Sequence, residues 1–282
     1  MDAIRCTNLK KRYGDFTLDL DKFTVPQGSI VGLIGENGAG KSTTIRLLLS
    51  LAKADGGIIE LFGLPVDGAT VGQKEDIGFV MEDAWPCALL DPIQTGTIMS
   101  RIYRNWDPIY YGMLLERLSI PKGKLFKDFS HGMKMKLVLA IALRHRAKLL
   151  ILDEPTSSLD PMTRDEILTM LMEFTRDEDH TVLLSSHIIS DLEKVCDYIT
   201  YVHQGKIILS SEKDQLEERY VISSCSHQDA AKLDTAKVLG RRETPYEVKI
   251  LMKREETPTF MQARHFDLEE MIILLSQGGE KS

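Results

Sequence analysis

The residues most able to do chemistry lie in one run, Gly35-Glu36-Asn37-Gly38-Ala39-Gly40-Lys41-Ser42. It has the form G-x-x-x-x-G-K-[ST] and sits between an apolar run and a helical pattern. Glycines let the backbone fold tightly and turn N–H groups inward, which makes a nest for an anion. The helix expected from Lys41 adds unpaired N–H groups and the positive end of its dipole. Lys41 supplies a point charge for the β- and γ-phosphates, and the Ser42 hydroxyl can ligate Mg²⁺. The run therefore reads as the phosphate site of a nucleoside triphosphate, with Thr43 continuing its helical side. No Asn-Lys-x-Asp element for reading guanine is present.

A second chemical element is Leu149-Leu-Ile-Leu-Asp153-Glu154-Pro155. Four apolar residues deliver Asp153 to the end of a buried strand, where it can support a Mg²⁺ shell. Glu154, one residue on, points elsewhere and can polarise a water. By itself a strand ending in an acidic turn is common, and only its company with the glycine-rich turn gives it this reading.

These groups need an α/β framework to hold them. Gly28 to Gly35 predicts a buried strand, Lys41 to Leu51 a helix, and Gly57 to Phe62 and Asp76 to Val80 further strands. Residues 84–146 change character, with Trp85, Pro86, Pro92, Trp106, Pro108 and Pro121 ahead of a helical pattern from Met133 to Arg146. Within it Met135, Val138, Leu139 and Ala142 fall at i, i+3, i+4 and i+7, as one apolar face would. Alternation then returns: a strand at Leu149–Leu152, a helix opened by Asp160-Pro161, a strand at Val182–Ser185 and a capping box at Ser190–Glu193. The last 70 or so residues are more charged, with a hairpin-like stretch at Tyr246–Lys253 and an amphipathic segment at Asp267–Leu275. Cys225 and His227 lie close together but form no metal-ligand set.

Composition narrows the setting. The 282 residues are 43% hydrophobic, too apolar for a disordered chain. The formal net charge of −7 argues against a nucleic-acid partner, since such binding leans on basic excess. The four cysteines, Cys6, Cys87, Cys196 and Cys225, are scattered, which fits a reducing compartment. The N-terminus carries no apolar signal segment, and no apolar run approaches the ~18 residues of a membrane span. Any membrane part is expected from another chain.

Further elements complete an ordered set. Tyr13 precedes the phosphate turn, Phe129-Ser130-His131-Gly132-Met133-Lys134 opens the long helix, Ser157-Ser-Leu-Asp160 follows the acidic strand, and His187 ends Leu184-Ser-Ser-His. Over about residues 1–215 this set resembles the nucleotide-binding subunit of ATP-binding cassette (ABC) transporters. The resemblance implies an ABC ATPase fold: a P-loop core, an antiparallel β subdomain, an inserted helical subdomain over about 84–146, and a small α/β extension over 216–282.

It further implies a head-to-tail pair of cassettes, identical or homologous, enclosing two ATP molecules. By that resemblance Tyr13 stacks on adenine. Residues 35–43 with Lys41 and Ser42 hold phosphate and Mg²⁺. Asp153 supports the Mg²⁺ shell, Glu154 is the general base and His187 meets the γ-phosphate. Ser130 and Gly132 reach the partner's ATP, and Asp160 links the two sites. Plainer roles stand beside these: Asp160 and Ser130 as helix N-caps, Tyr13 as an ordinary half-buried aromatic, His187 as a polar strand end.

Two positions depart from the family's pattern. His131 stands where a glycine is usual, so its side chain is expected to turn away from nucleotide. Glu82 stands where a Gln normally joins the Mg²⁺ shell; it can still offer an oxygen to Mg²⁺, and its added charge is expected to make ATP affinity more Mg²⁺-dependent. These variants look like a bacterial subgroup of peptide-antibiotic, toxin or drug exporters. The implied protein is peripheral on the cytoplasmic membrane face and works with an integral membrane subunit. A soluble ABC protein acting as an ATP-dependent clamp is the other reading. One cassette, no heptads and an acidic balance favour transport.

Overall fold

The computed structural model describes residues 1–66, 71–81, 87–143, 147–259, 261–263 and 266–278. The chain opens with two long strands, β1 (Asp2–Tyr13) and β2 (Phe16–Pro26), then β3 (Ile30–Ile34) and α1 (Lys41–Leu48). Next come β4 (Gly56–Leu61), β5 (Leu64–Pro65), α2 (Val71–Glu75) and β6 (Ile77–Val80). Three helices follow: α3 (Pro92–Ile102), α4 (Pro108–Arg117) and α5 (His131–Leu143). Then come β7 (Leu149–Asp153), α6 (Pro161–Phe174), β8 (Thr181–Ser186), α7 (Ile189–Val195), β9 (Tyr198–His203) and β10 (Lys206–Glu212). The chain closes with α8 (Lys213–Arg219), β11 (Tyr220–Cys225), α9 (His227–Ala230), β12 (Val238–Glu243), β13 (Val248–Lys253), β14 (Gln262–Ala263) and α10 (Leu268–Gly278).

Three sheets result. The central one has the order β10-β9-β3-β8-β7-β6 and is parallel except for its β10 edge. Its inner strands β3, β8 and β7 are buried along nearly their whole length, as a covered parallel sheet requires. In β7, Leu149 and Ile151 enter one core while Leu150 and Leu152 enter the other. The first core lies under the antiparallel sheet β2-β1-β4-β5 and α1, through Leu9, Leu18, Phe23 and Leu48. The second lies under α5, α6 and α7 and continues through Leu251, Met271 and Leu274 into the third sheet, β12-β13-β11-β14, and its helix α10.

Several local expectations are corrected. The first helix stops at Leu48 rather than Leu51, because Ser50 takes a left-handed φ of 56°. Helix α5 has no single apolar face: Leu137, Ala140, Ile141 and Leu143 are buried together with Met135, Val138, Leu139 and Ala142. It is a core helix enclosed by its neighbours, so periodicity understated its burial.

The capping box at Ser190–Glu193 does not form. Helix α7 starts at Ile189 without a side-chain cap, and Glu193 Oε1 instead accepts from the Leu268 N–H at the start of α10. The hairpin-like stretch is half right. Tyr246 lies in the turn, and β13 pairs with β12 on one side and β11 on the other. The terminal amphipathic segment is α10, capped by the Asp267 carboxylate, which accepts from the Glu270 N–H.

Candidate nucleotide site

The phosphate turn is built where β3 leaves the sheet. Gly38 and Gly40 have φ of +83° and +118°, conformations that an L side chain resists. A Cβ on Gly40 would also strike Leu18 of β2 at 2.7 Å. Helix α1 then begins with Gly40 as N-cap and no side chain capping it. Its first N–H groups are left to face the turn, which is the anion-binding arrangement expected from the residues. Ala39 N–H donates to Glu36 O at 3.0 Å, and Ala39 O accepts from Gly205 N–H at 2.9 Å, so the turn is braced from inside and from the β9–β10 connection.

Lys41 is buried, only 5% exposed. Its ammonium donates to Gly35 O at 2.6 Å and Glu36 O at 3.3 Å. It also lies 3.2 Å from Glu154 Oε1, a contact of ion-pair rather than hydrogen-bond geometry. A buried cation needs such partners, and they hold it at the mouth of the turn. Ser42 is exposed and Thr43 half-buried in the first turn of α1.

The acidic strand delivers its two carboxylates beside this lysine. Ser185, on the neighbouring β8, donates from Oγ to Asp153 Oδ1 at 2.6 Å and accepts from the Glu154 N–H at 3.0 Å. Glu154 has φ +50°, unusual for a residue with a side chain. Such a conformation costs on the order of 1–2 kcal/mol. The turn after β7 imposes it and aims the carboxylate away from Asp153. Glu154 Oε2 accepts from the His187 backbone N–H at 3.3 Å and lies 2.7 Å from His187 Nδ1. Lys41, Glu154 and His187 thus form one chain of charge and hydrogen bonding across the ends of β3, β7 and β8. Ser185 is the functional residue the sequence reasoning missed. Its signal was present in Leu184-Ser-Ser-His, but no spacing rule marks a strand-end serine as the tie between one carboxylate and the backbone of the next residue.

The other candidate residues form a second group. Ser130 Oγ accepts from Met133 N–H at 3.3 Å at the start of α5. A Cβ on Gly132 would meet Thr163 and Leu159 at 3.4 and 3.7 Å. Asp160 caps α6 by accepting from Met162 and Thr163 N–H at 3.1 and 3.0 Å. Hydrogen bonds from Thr163, chiefly its backbone, hold the Asp160 carboxyl below the usual range. Ser130, Gly132 and Asp160 therefore gather where α5 meets α6.

Tyr13 ends β1, about half exposed, opposite Phe16 and with Lys11 Nζ 5.2 Å from its ring centre. Phe16 in turn reaches the Gly40 position, so Tyr13 stands at the border of the phosphate turn. Asn37 and Glu36 are exposed on the turn. Glu82 lies outside the described residues.

A glycine-lined turn capping a helix, beside an acidic strand of a parallel sheet, defines a P-loop nucleoside triphosphatase. The ABC transporter family model matches residues 18–157, and an AAA domain model (putative AbiEii toxin, type IV TA system) overlaps it at 125–190. The chain is 36% identical over 222 residues to the bacitracin transport ATP-binding protein BcrA of Bacillus licheniformis, covering 77% of this chain and 72% of that one. It is 34% identical over 226 residues to the lantibiotic transport ATP-binding protein SrtF of Streptococcus pyogenes, covering 76% and 93%. Among solved structures, one described as an ATP binding subunit of an ABC transporter superposes with a TM-score of 0.68 at 26% identity, covering 77% of this chain and 92% of that one.

The chain belongs to the ATP-binding cassette family of transporter ATP-binding subunits. Its activity is that of the family, ATP binding and hydrolysis.

Proposed function

We propose that this subunit powers export of a peptide or drug through a separate integral membrane protein, as half of a head-to-tail ATPase pair, identical or homologous. The observation that carries the reading is the split of the candidate residues into two groups. The P-loop, Asp153, Glu154 and His187 make one face of a nucleotide site. Ser130, Gly132 and Asp160 form a polar edge at the start of α5 and α6, with the α5 dipole behind it. A second cassette facing the first would bring each group to the other.

Within one site, the nest of N–H groups and Lys41 bind the ATP phosphates, and Tyr13 borders the adenine end. An arriving γ-phosphate competes with Glu154 for the Lys41 ammonium and frees that carboxylate to take a proton from water. The water oxygen bonds to the γ-phosphorus, the bond to the bridging oxygen breaks, and ADP leaves with phosphate. His187 holds Glu154 in line through both of its nitrogen contacts. The Ser42 hydroxyl and the Asp153 carboxylate are hard oxygen donors at the end of the turn, which fits Mg²⁺. Bound there, Mg²⁺ would neutralise charge on the phosphate oxygens. Loss of the γ-phosphate removes contacts that favour the closed pair, and the pair opens.

The membrane partner is supported by an apolar cavity of about 510 Å³. It is lined by Leu51, Leu64, Phe79 and Ile102, all exposed and large. No helix among the described residues is long and apolar enough to cross a membrane. Placement is peripheral on the cytoplasmic face, held by the partner. The relatives' names point to bacitracin and lantibiotic transport, which supports a peptide cargo. We place the boundary between the cassette and its C-terminal extension near 215/216, where the chain passes from the central sheet to the third.

The test is to co-express the chain with its genomic neighbours, purify the membrane complex and titrate peptide antibiotics and drugs while recording ATP turnover. Stimulation by such a compound is expected. A complex whose turnover answers to none of them would contradict export.

A further inference from the structure

The residue after the capping triad of α6 makes contacts that the reactions above leave unused. Arg164 Nη2 donates to the Leu159 carbonyl at 3.4 Å. On its other side Arg164 Nε faces Asp191 Oδ2 at 3.8 Å. Leu159 is the residue before Asp160. Asp191 stands four residues after His187, in the first turn of α7. One guanidinium thus touches the peptide that leads into one candidate group and the helix that leads out of the other.

The carboxylate side of this contact is buried. Asp191 is 4% exposed, and neither Arg164 Nε nor Asp191 Oδ2 is exposed or hydrogen-bonded. The two neighbours of Arg164 on α6 also form ion pairs, Asp165 with Lys194 of α7 and Glu166 with Lys136 of α5. The Asp165 pair is largely exposed, and pairs in water contribute little. Here the Asp191 carboxylate has left water and faces a guanidinium that is 29% exposed, with no direct hydrogen bond between the two. Buried pairs of this kind can often be replaced by apolar residues without loss of stability. Fold stability is therefore a poor account of why charges stand here. A fork with two reaches, one for a carbonyl and one for a carboxylate, is what arginine offers and lysine does not.

We propose that Arg164 is a positioning residue for ATP hydrolysis. Its two-sided contact fixes the Asp160 loop relative to α7, and through α7 fixes His187 against Glu154. Contact of a facing cassette at Asp160 would then be felt at the hydrolytic carboxylate of the same chain. The inference rests on the proposed roles of Glu154, His187 and Asp160.

The experiment uses the full chain and records kcat, KM for ATP and the thermal unfolding midpoint. Its variants are Arg164→Lys, Arg164→Met, Asp191→Leu and the Arg164→Met/Asp191→Leu pair. Each apolar single variant is expected to lower both the midpoint and kcat: Arg164→Met strands the buried Asp191 carboxylate, and Asp191→Leu leaves the buried Arg164 Nε facing no carboxylate. The double variant is expected to regain the midpoint while kcat stays about tenfold or more below wild type, with KM within about twofold, since misplaced groups cost turnover rather than binding. Arg164→Lys keeps the charge but not the fork, and is expected to share the kcat loss. Recovery of kcat together with the midpoint in the double variant would overturn the proposal, as would wild-type kcat in Arg164→Lys. Should the double variant fail to fold, Arg164→Lys decides alone. Wild-type chain that turns over no ATP would contradict the functional reading itself; wild-type turnover matched by the variants would contradict only this inference.

Discussion

Glu154 Oε2 lies 2.7 Å from His187 Nδ1 and 3.3 Å from the His187 backbone nitrogen. One carboxylate oxygen is thus held by two nitrogens of a single residue, while its other oxygen faces Lys41 at 3.2 Å. The strained backbone of Glu154, with φ +50°, points the side chain into that clamp. Strain of this kind persists where surrounding contacts over-determine it, and it clusters at working sites.

His187→Ala removes the ring contact and leaves the backbone one. ATP affinity should change little, since Lys41 and the phosphate turn carry binding, while turnover should fall by roughly 10²-fold or more. Steady-state kinetics beside nucleotide titration separates the two. A variant with wild-type turnover would remove His187 from the reaction.

Ser185→Ala tests the residue that ties Asp153 to Glu154. Asp153 Oδ1 loses its donor, and the Glu154 backbone N–H loses one acceptor while keeping the Ser185 carbonyl at 3.2 Å. Stability should drop by about 1 kcal/mol, and kcat should fall about tenfold because both groups are less well placed. Denaturant unfolding and kinetics measure the two effects. A stability loss with unchanged kcat would make the serine purely structural.

Lys41→Ala deletes the buried ammonium and leaves Glu154 Oε1 without its cation. Nucleotide affinity should fall at least about tenfold, the order of a lost charge-assisted contact to phosphate. Isothermal titration with ATP measures it, and an unchanged dissociation constant would count against the phosphate assignment.

Thiol labelling reads the fold directly. Cys87 is exposed, whereas Cys6 and Cys196 are buried. Burial pushes the Cys6 thiol up to about 12 and raises Cys196 as well, from an ordinary 9.0. A maleimide near neutral pH should label Cys87 at once and Cys6 and Cys196 only on unfolding. A raised folded value stabilises the protein fully below about 9, and that contribution is lost as pH climbs from 9 toward the folded values. Rapid native labelling of Cys6 would contradict the packing of β1 on α1.

The local chemistry was more legible than the packing. The phosphate turn could be read because glycine, lysine and serine have few other reasons to stand at that spacing. The start of α6 could be read because Asp160-Pro161 is a local signal, and the structure uses it as one. Helix α5 is legible as a helix from the spacing of Met135, Val138, Leu139 and Ala142, but its near-complete burial is not, because its apolar residues face partners on several sides and no sequence window contains those partners. Glu193 was misassigned for the same reason: its oxygen serves α10, 75 residues away, rather than its own helix. Ser185 acts through two residues on an adjacent strand, a relation created only by the register of β7 against β8.

The claim on which the rest turns is that Glu154 takes the proton from the attacking water. The direct measurement is single-turnover ATP hydrolysis by Glu154→Gln, with nucleotide binding and sedimentation recorded on the same sample. The account predicts ATP bound with near wild-type affinity, a stable ATP-dependent pair, and hydrolysis slowed by about 10²- to 10⁴-fold. Hydrolysis at the wild-type rate would contradict it.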